Sequence, residues 1–149
     1  MHILDHLLTH VVVDSPAVAP KAFFSEDAIA FVQRSGLAAN VFNSHNLGGY
    51  LAWKLYPGVR IFQDSRLQAY PPEHFLSILV ASRSQPDWDV LVADVDWAML
   101  SLPRPNQLSG VGRFRSDEWQ TIFSDGAVEI LQRRRRQVTG SNVPNSQGE

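Results

Sequence analysis

The sequence predicts an α/β fold, a small sandwich around a mixed sheet of about five strands, and three observations carry that prediction. Short apolar, β-branched or aromatic runs alternate with helical patterns through residues 26–101, an order that implies parallel strands joined by helical crossovers. The helical patterns carry their own start or stop residues. Near the end, Asp125-Gly126 separates two β-rich runs, which marks a hairpin adding antiparallel strands to the sheet.

In chain order, residues 1–24 read as an arm, with Ile3, Leu7, Leu8 and Val11 at near-helical spacing, then Val11 to Val13, Pro16 and Pro20: a short helix or a frayed segment followed by extended chain. Ser25 is a fitting N-cap for a helix over 26–35, with Glu26 and Asp27 at its positive end and Gly36 placed to take the left-handed stop. "ANVFN" is a short buried strand. "LGGYLAWKLY" follows as a helix burying Tyr50, Leu51, Trp53 and Leu55 with Lys54 exposed, and Pro57-Gly58 ends it. "VRIFQD" is the next strand, and "PPEHFLSILVASRS" starts on prolines tolerated in a helical first turn.

A shorter helix opens at Gln85-Pro86-Asp87 and runs to Ala93, and "DWAMLSLP" makes a third strand halted by Pro103 and Pro105. A polar loop that could hold one helical turn leads to the closing hairpin around Ser124-Asp125-Gly126. Residues 25–136 are thus expected to form one α/β domain, and 137–149 a disordered tail.

Composition narrows the function classes. Thirteen Lys and Arg against 15 Asp and Glu give a net charge of −2, so no global field recruits nucleic acid. The block Arg133 to Arg136 either touches phosphates or lipid headgroups or is a solvated chain end, and the second reading is favoured. Without cysteine there are no disulfides, thiolate chemistry or Cys-type zinc sites. The longest apolar run, Phe75 to Ala81, is broken by Ser77 and falls far short of the ~20 residues that cross a bilayer. Three His and one Asp within residues 1–13 do not read as a secretory signal.

Parallel strands place ligands beyond their carboxyl ends. That rule assembles one polar rim: Asn43, Ser44 and His45 from the first strand, Asp64, Ser65 and Arg66 from the second, Ser101 and Arg104 from the third. Gly48 and Gly49 would present backbone N–H groups to a phosphate or carboxylate at the next helix start. His45 and Asp64 are the candidate proton-transfer pair. The same residues have a structural reading, which carries more weight: Asp64 and Arg66 pair with each other or with loop backbone, Asn43 caps the helix, and the glycines allow a tight turn.

"NLGGY" lacks the P-loop lysine and the three-glycine dinucleotide pattern, and no G-x-S-x-G elbow exists for a serine hydrolase. His2, His6 and His10 at i, i+4, i+8 would align for a divalent metal, but a solvated face is the stronger reading; no metal or cofactor is expected. His74, in a helical first turn, is expected at the surface, and Trp53, Trp88, Trp97 and Trp119 read as core anchors.

Val41-Phe42-Asn43, Gly48-Gly49-Tyr50-Leu51 with Trp53, Phe62 with Asp64 and Arg66, and the late Asp-Gly hairpin together resemble the soluble C-terminal domain of large bacterial multi-pass membrane proteins of the GT-C-like, dolichyl-phosphate-mannose type of glycosyltransferase. The resemblance covers residues 26–135 or so. It implies an extracytoplasmic domain following the last membrane span, with the catalytic acid in membrane-proximal loops elsewhere, so no catalytic residue carries over. The expectation is a non-catalytic accessory domain that meets a membrane-embedded segment, a partner protein, a sugar phosphate or a lipid-linked sugar. A small stand-alone enzyme using His45 and Asp64, and a protein-interaction module, are the competing expectations.

Overall fold

The computed structural model describes residues 11–12, 24–102 and 113–134. It shows an α/β domain on a mixed open sheet. The elements run β1 (Val11–Val12), α1 (Glu26–Ser35), β2 (Ala39–Asn43), α2 (Gly48–Leu55), β3 (Val59–Ile61), α3 (Pro72–Ala81), α4 (Gln85–Leu91), β4 (Trp97–Ser101), β5 (Trp119–Ser124) and β6 (Val128–Arg133). Short 3-10 turns at His45–Leu47 and Leu67–Ala69 precede α2 and α3. Strand order is β1-β5-β6-β4-β2-β3. β2 pairs parallel with β3 and with β4, and the β5–β6 hairpin adds antiparallel to β4. Within the predicted arm, Val11–Val12 pairs parallel with Phe123–Ser124, extending the five strands at the outer edge.

Alternation along the strands divides the core into two layers. Val41, Trp97, Met99 and Ile130 point to the face covered by α1 and α2, where Ala28, Ile29, Val32, Leu51 and Leu55 meet them. Phe42, Ala98, Leu100 and Leu131 point to the other face, against Ala81, Trp88, Val92, Phe114 and Trp119. Phe42, Trp88, Phe114 and Trp119 form a chain of edge-on ring contacts at 4.7–5.4 Å, the geometry that aromatic quadrupoles favour.

Local chemistry fixes the boundaries. The Ser25 hydroxyl accepts from Ala28 N–H at 2.9 Å and donates to Asp125, so the α1 cap is also a tie to the hairpin turn. Asp125 Oδ1 in turn accepts from the N–H groups of Ala127 and Val128. Gly36 takes φ 70° as its position predicts, and Ala39 holds the less usual φ of 62° where β2 begins.

Four expectations are corrected. Trp53 is 74% exposed: Gly48, Leu51 and Leu55 are the residues of α2 that are buried, which turns Trp53 outward. Lys54 is correspondingly only partly exposed, its ammonium 4.4 Å from the Trp53 ring centre and 3.0 Å from Glu26. β3 ends at Ile61 rather than continuing through Asp64, because a side chain takes over the pairing there, as described below. The basic block is not wholly a solvated end, since Arg133 donates to the carbonyls of Val92 and Val95 and lies 4.6 Å over the Trp119 ring. Arg135, Arg136, the tail and the histidine stripe at 2, 6 and 10 lie outside the described residues.

Candidate functional site

The three parallel strands bring their carboxyl ends to one border, as the helix-strand order predicts. Asn43 with Gln63, and Ser44 with Ser101, meet there through hydrogen bonds between the strands, and Asp64 and Arg66 follow Gln63 in the loop after β3. Arg104 lies outside the described residues.

Asn43 is fully buried and does not cap α2. Its Nδ2 donates to the carbonyls of Gln63 at 2.7 Å and Ser44 at 3.0 Å, and its Oδ1 accepts from Phe62 N–H at 2.9 Å. Gln63 Nε2 returns a bond to Asn43 O at 3.0 Å. Two side-chain amides, mainly that of Asn43, therefore replace the ladder where β2 and β3 diverge, satisfying backbone groups that burial would otherwise leave unpaired. Ser44 does the same toward β4: its N–H donates to Met99 O and its hydroxyl accepts from Ser101 N–H, both at 3.0 Å. The Ser101 hydroxyl donates to Asn46 Oδ1 at 3.1 Å.

Gly48 is not a free anion donor. The 3-10 turn His45–Leu47 runs straight into α2, so Gly48 N–H donates to His45 O. Its Cα presses on the β3 loop, where a Cβ would stand 1.9 Å from Gln63 O. Gly49, one residue on, is exposed with open space around it.

Asp64 has no exposed side-chain surface, yet it is paired. Arg66 donates its Nε at 2.8 Å and an Nη at 2.5 Å to Oδ2, and its backbone N–H at 2.8 Å to Oδ1. The guanidinium bonds hold the Asp64 carboxyl below its ordinary range against the opposing effect of burial, and the Arg66 backbone N–H and the charges of Arg66 and His45 add to them. Arg66 itself is 70% exposed, so the carboxylate orients a fork whose outer side faces solvent. A depressed folded pKa stabilises the fold above the unfolded value near 4 and loses that contribution as pH falls through the folded pKa. Urea unfolding from pH 7 to 2 should accordingly show the gap between the native protein and Asp64→Asn narrowing below about pH 4. A gap that stays constant across that range would refute this role.

His45 is exposed, and no hydrogen bond joins it to Asp64 among the described residues; its ring instead meets Phe75 edge-on at 6.1 Å. Asp64, with both oxygens engaged and its pKa lowered, is poorly suited to accept a proton near neutrality.

Sequence reasoning missed a second layer behind this rim. His74 is half-buried rather than at the surface: its Nε2 lies 2.9 Å from Phe62 O, which can only accept, so Nε2 carries the proton. The Tyr70 ring stacks on it at 5.0 Å. Burial and the Asp64 charge raise the Tyr70 phenol above its usual value, with Arg66 opposing. Sequence spacing gave no signal for this pair, since Tyr70 precedes the first turn that Pro72 opens and the helical i, i+4 rule does not join it to His74.

An open groove of about 310 Å³ lies at the opposite border, lined by Val32, Leu37, Leu55, Tyr56 and Val59 among others. It shares no residue with the polar rim. Among the described residues no group of three His, Asp or Glu is placed to hold a metal, and no helix is long and apolar enough to cross a membrane. Comparison with known proteins finds no matching family model, no similar curated protein and no similar solved structure.

Proposed function

We propose that this chain is a non-catalytic recognition domain of a membrane-associated, glycosyltransferase-like protein, and that its rim holds the phosphate of a sugar phosphate or a lipid-linked sugar. One observation carries the reading: the buried polar side chains at the rim, Asn43, Ser44, Gln63 and Asp64, are engaged within the protein, while the Arg66 guanidinium, held by Asp64, stays largely exposed to solvent. Proton transfer needs a group free to change charge near the working pH, and Asp64 is not one. Anion recognition needs only an oriented cation, and Arg66 is held as one, with exposed His45 near enough for its charge to act on Asp64.

Thermal-shift titrations with sugar phosphates and prenyl phosphates test this. The expected result is a ligand-dependent rise in Tm that weakens with added salt, shrinks in Arg66→Lys and disappears in Arg66→Ala, each protein read against its own ligand-free Tm. No rise with any of these compounds, or an equal rise in Arg66→Ala, rejects the assignment.

A further inference from the structure

Helix α3 is apolar on two sides. Ile78 and Ala81 turn inward, as a sheet-covering helix requires. Leu76, Leu79 and Val80, at i, i+3 and i+4, lie together on the outer side and are 58%, 41% and 54% exposed. Glu73 stands three residues before this stripe, exposed in the first turn. Arg83 stands three residues after it, where the Ser82 and Arg83 N–H groups still bond to Ile78 O and Val80 O. Neither Glu73 nor Arg83 has an ion pair among the described residues. An aliphatic stripe closed by an unpaired acid at one end and an unpaired base at the other is self-complementary only when reversed.

We propose that this stripe is the two-fold interface of a homodimer, with α3 packed antiparallel on α3 of a second copy. With the axis level with Ile78, Leu76 faces Val80 of the partner subunit and Glu73 faces Arg83 of the partner subunit, and symmetry repeats both contacts. The antiparallel register also opposes the two helix dipoles, whereas a parallel pairing would set Glu73 against its own copy and Arg83 against its own copy. The charge pattern selects a second copy, since one chain supplies both halves of each pair. Three aliphatic side chains and two charges per subunit fall below the roughly 800 Å² per partner of a standard interface, so the dimer is weak and concentration-dependent. This association is independent of the rim and of any ligand there.

Sedimentation velocity on the full chain from about 1 µM to 1 mM tests it. The native protein is expected to shift from monomer to dimer across that range. Leu76→Lys, a change at an exposed position, should weaken association by about tenfold or more. Glu73→Arg and Arg83→Glu should each be monomeric alone, because each places like charges opposite one another. Mixed one to one, they should form a heterodimer, since one chain then carries a base at both ends of the stripe and the other an acid at both ends, and every facing pair is again of opposite sign. A native protein that stays monomeric at 1 mM, a dimer indifferent to Leu76→Lys, or charge variants that fail to associate on mixing would overturn the proposal. Circular dichroism of each variant confirms that a loss of association is not a loss of fold.

Discussion

Gly48→Ala is expected to lower folding stability by about 3 kcal/mol or to prevent folding, while Gly49→Ala leaves it unchanged or raises it by up to about 1 kcal/mol. The two glycines are neighbours in one helix, and conformational freedom does not distinguish them, since Gly48 sits at φ −57° and ψ −48°, ordinary helix. What distinguishes them is space. A Cβ on Gly48 would meet Gln63 O at 1.9 Å and the Asp64 Cα and Cβ at 2.7 and 2.6 Å, two of the three being backbone atoms that cannot swing aside. Relief requires α2 to lift off the loop after β3, which would break the contacts holding Gln63 and Asp64 in place. Around Gly49 there is nothing within 4 Å, so the better helical propensity of alanine acts unopposed. Urea unfolding of the pair decides the matter, and equal midpoints for Gly48→Ala and the native protein would show that the close approach is not real.

This contrast also shows what the sequence can and cannot disclose. The elements were legible because local chemistry agrees with the fold: the Ser25 cap, Gly36 at the left-handed stop, Pro72 in a first turn, and Asp125-Gly126 at the hairpin all occupy the positions their chemistry favours. The common border of β2, β3 and β4 was legible too, because parallel strands joined by helices leave few alternatives. The face of α2 was misread because Tyr50, Leu51, Trp53 and Leu55 cannot all share one side at 3.6 residues per turn, and the close approach of Gly48 to β3 decides which do. No local signal announces a contact between residues 48 and 63. The roles of Asn43 and His74 were hidden for the same reason: each serves a carbonyl or N–H 12 to 20 residues away, and sequence spacing says nothing of where strands part. Within the rim, the structural reading of Asp64 and Arg66 as a pair held, whereas the anion role of Gly48 did not.

Asn43→Ala should cost about 3 kcal/mol, more than the loss of one ordinary hydrogen bond, because it orphans partners on both sides of the junction. Phe62 N–H loses its acceptor and Gln63 O loses its donor, and what remains of the side-chain bonding across the junction among the described residues is the Gln63 amide on Asn43 O, which serves neither orphaned group. The local readout is amide exchange: protection at Phe62 should fall to the level of exposed loops even where global stability suffices to keep the sheet intact. Asn43→Asp sharpens the test, since the new side chain keeps the acceptor for Phe62 N–H but sets a carboxylate oxygen against the carbonyls of Gln63 and Ser44. Burial and those two carbonyls raise the folded pKa of the new carboxyl above its unfolded value near 4, so the variant is least stable at neutral pH and recovers as pH falls and the group becomes a donor again. That slope is opposite in sign to the one Asp64 gives the native protein. Unfolding midpoints of Asn43→Asp that decline on acidification in parallel with the native protein would mean that the amide nitrogen is not the group joining the two strands.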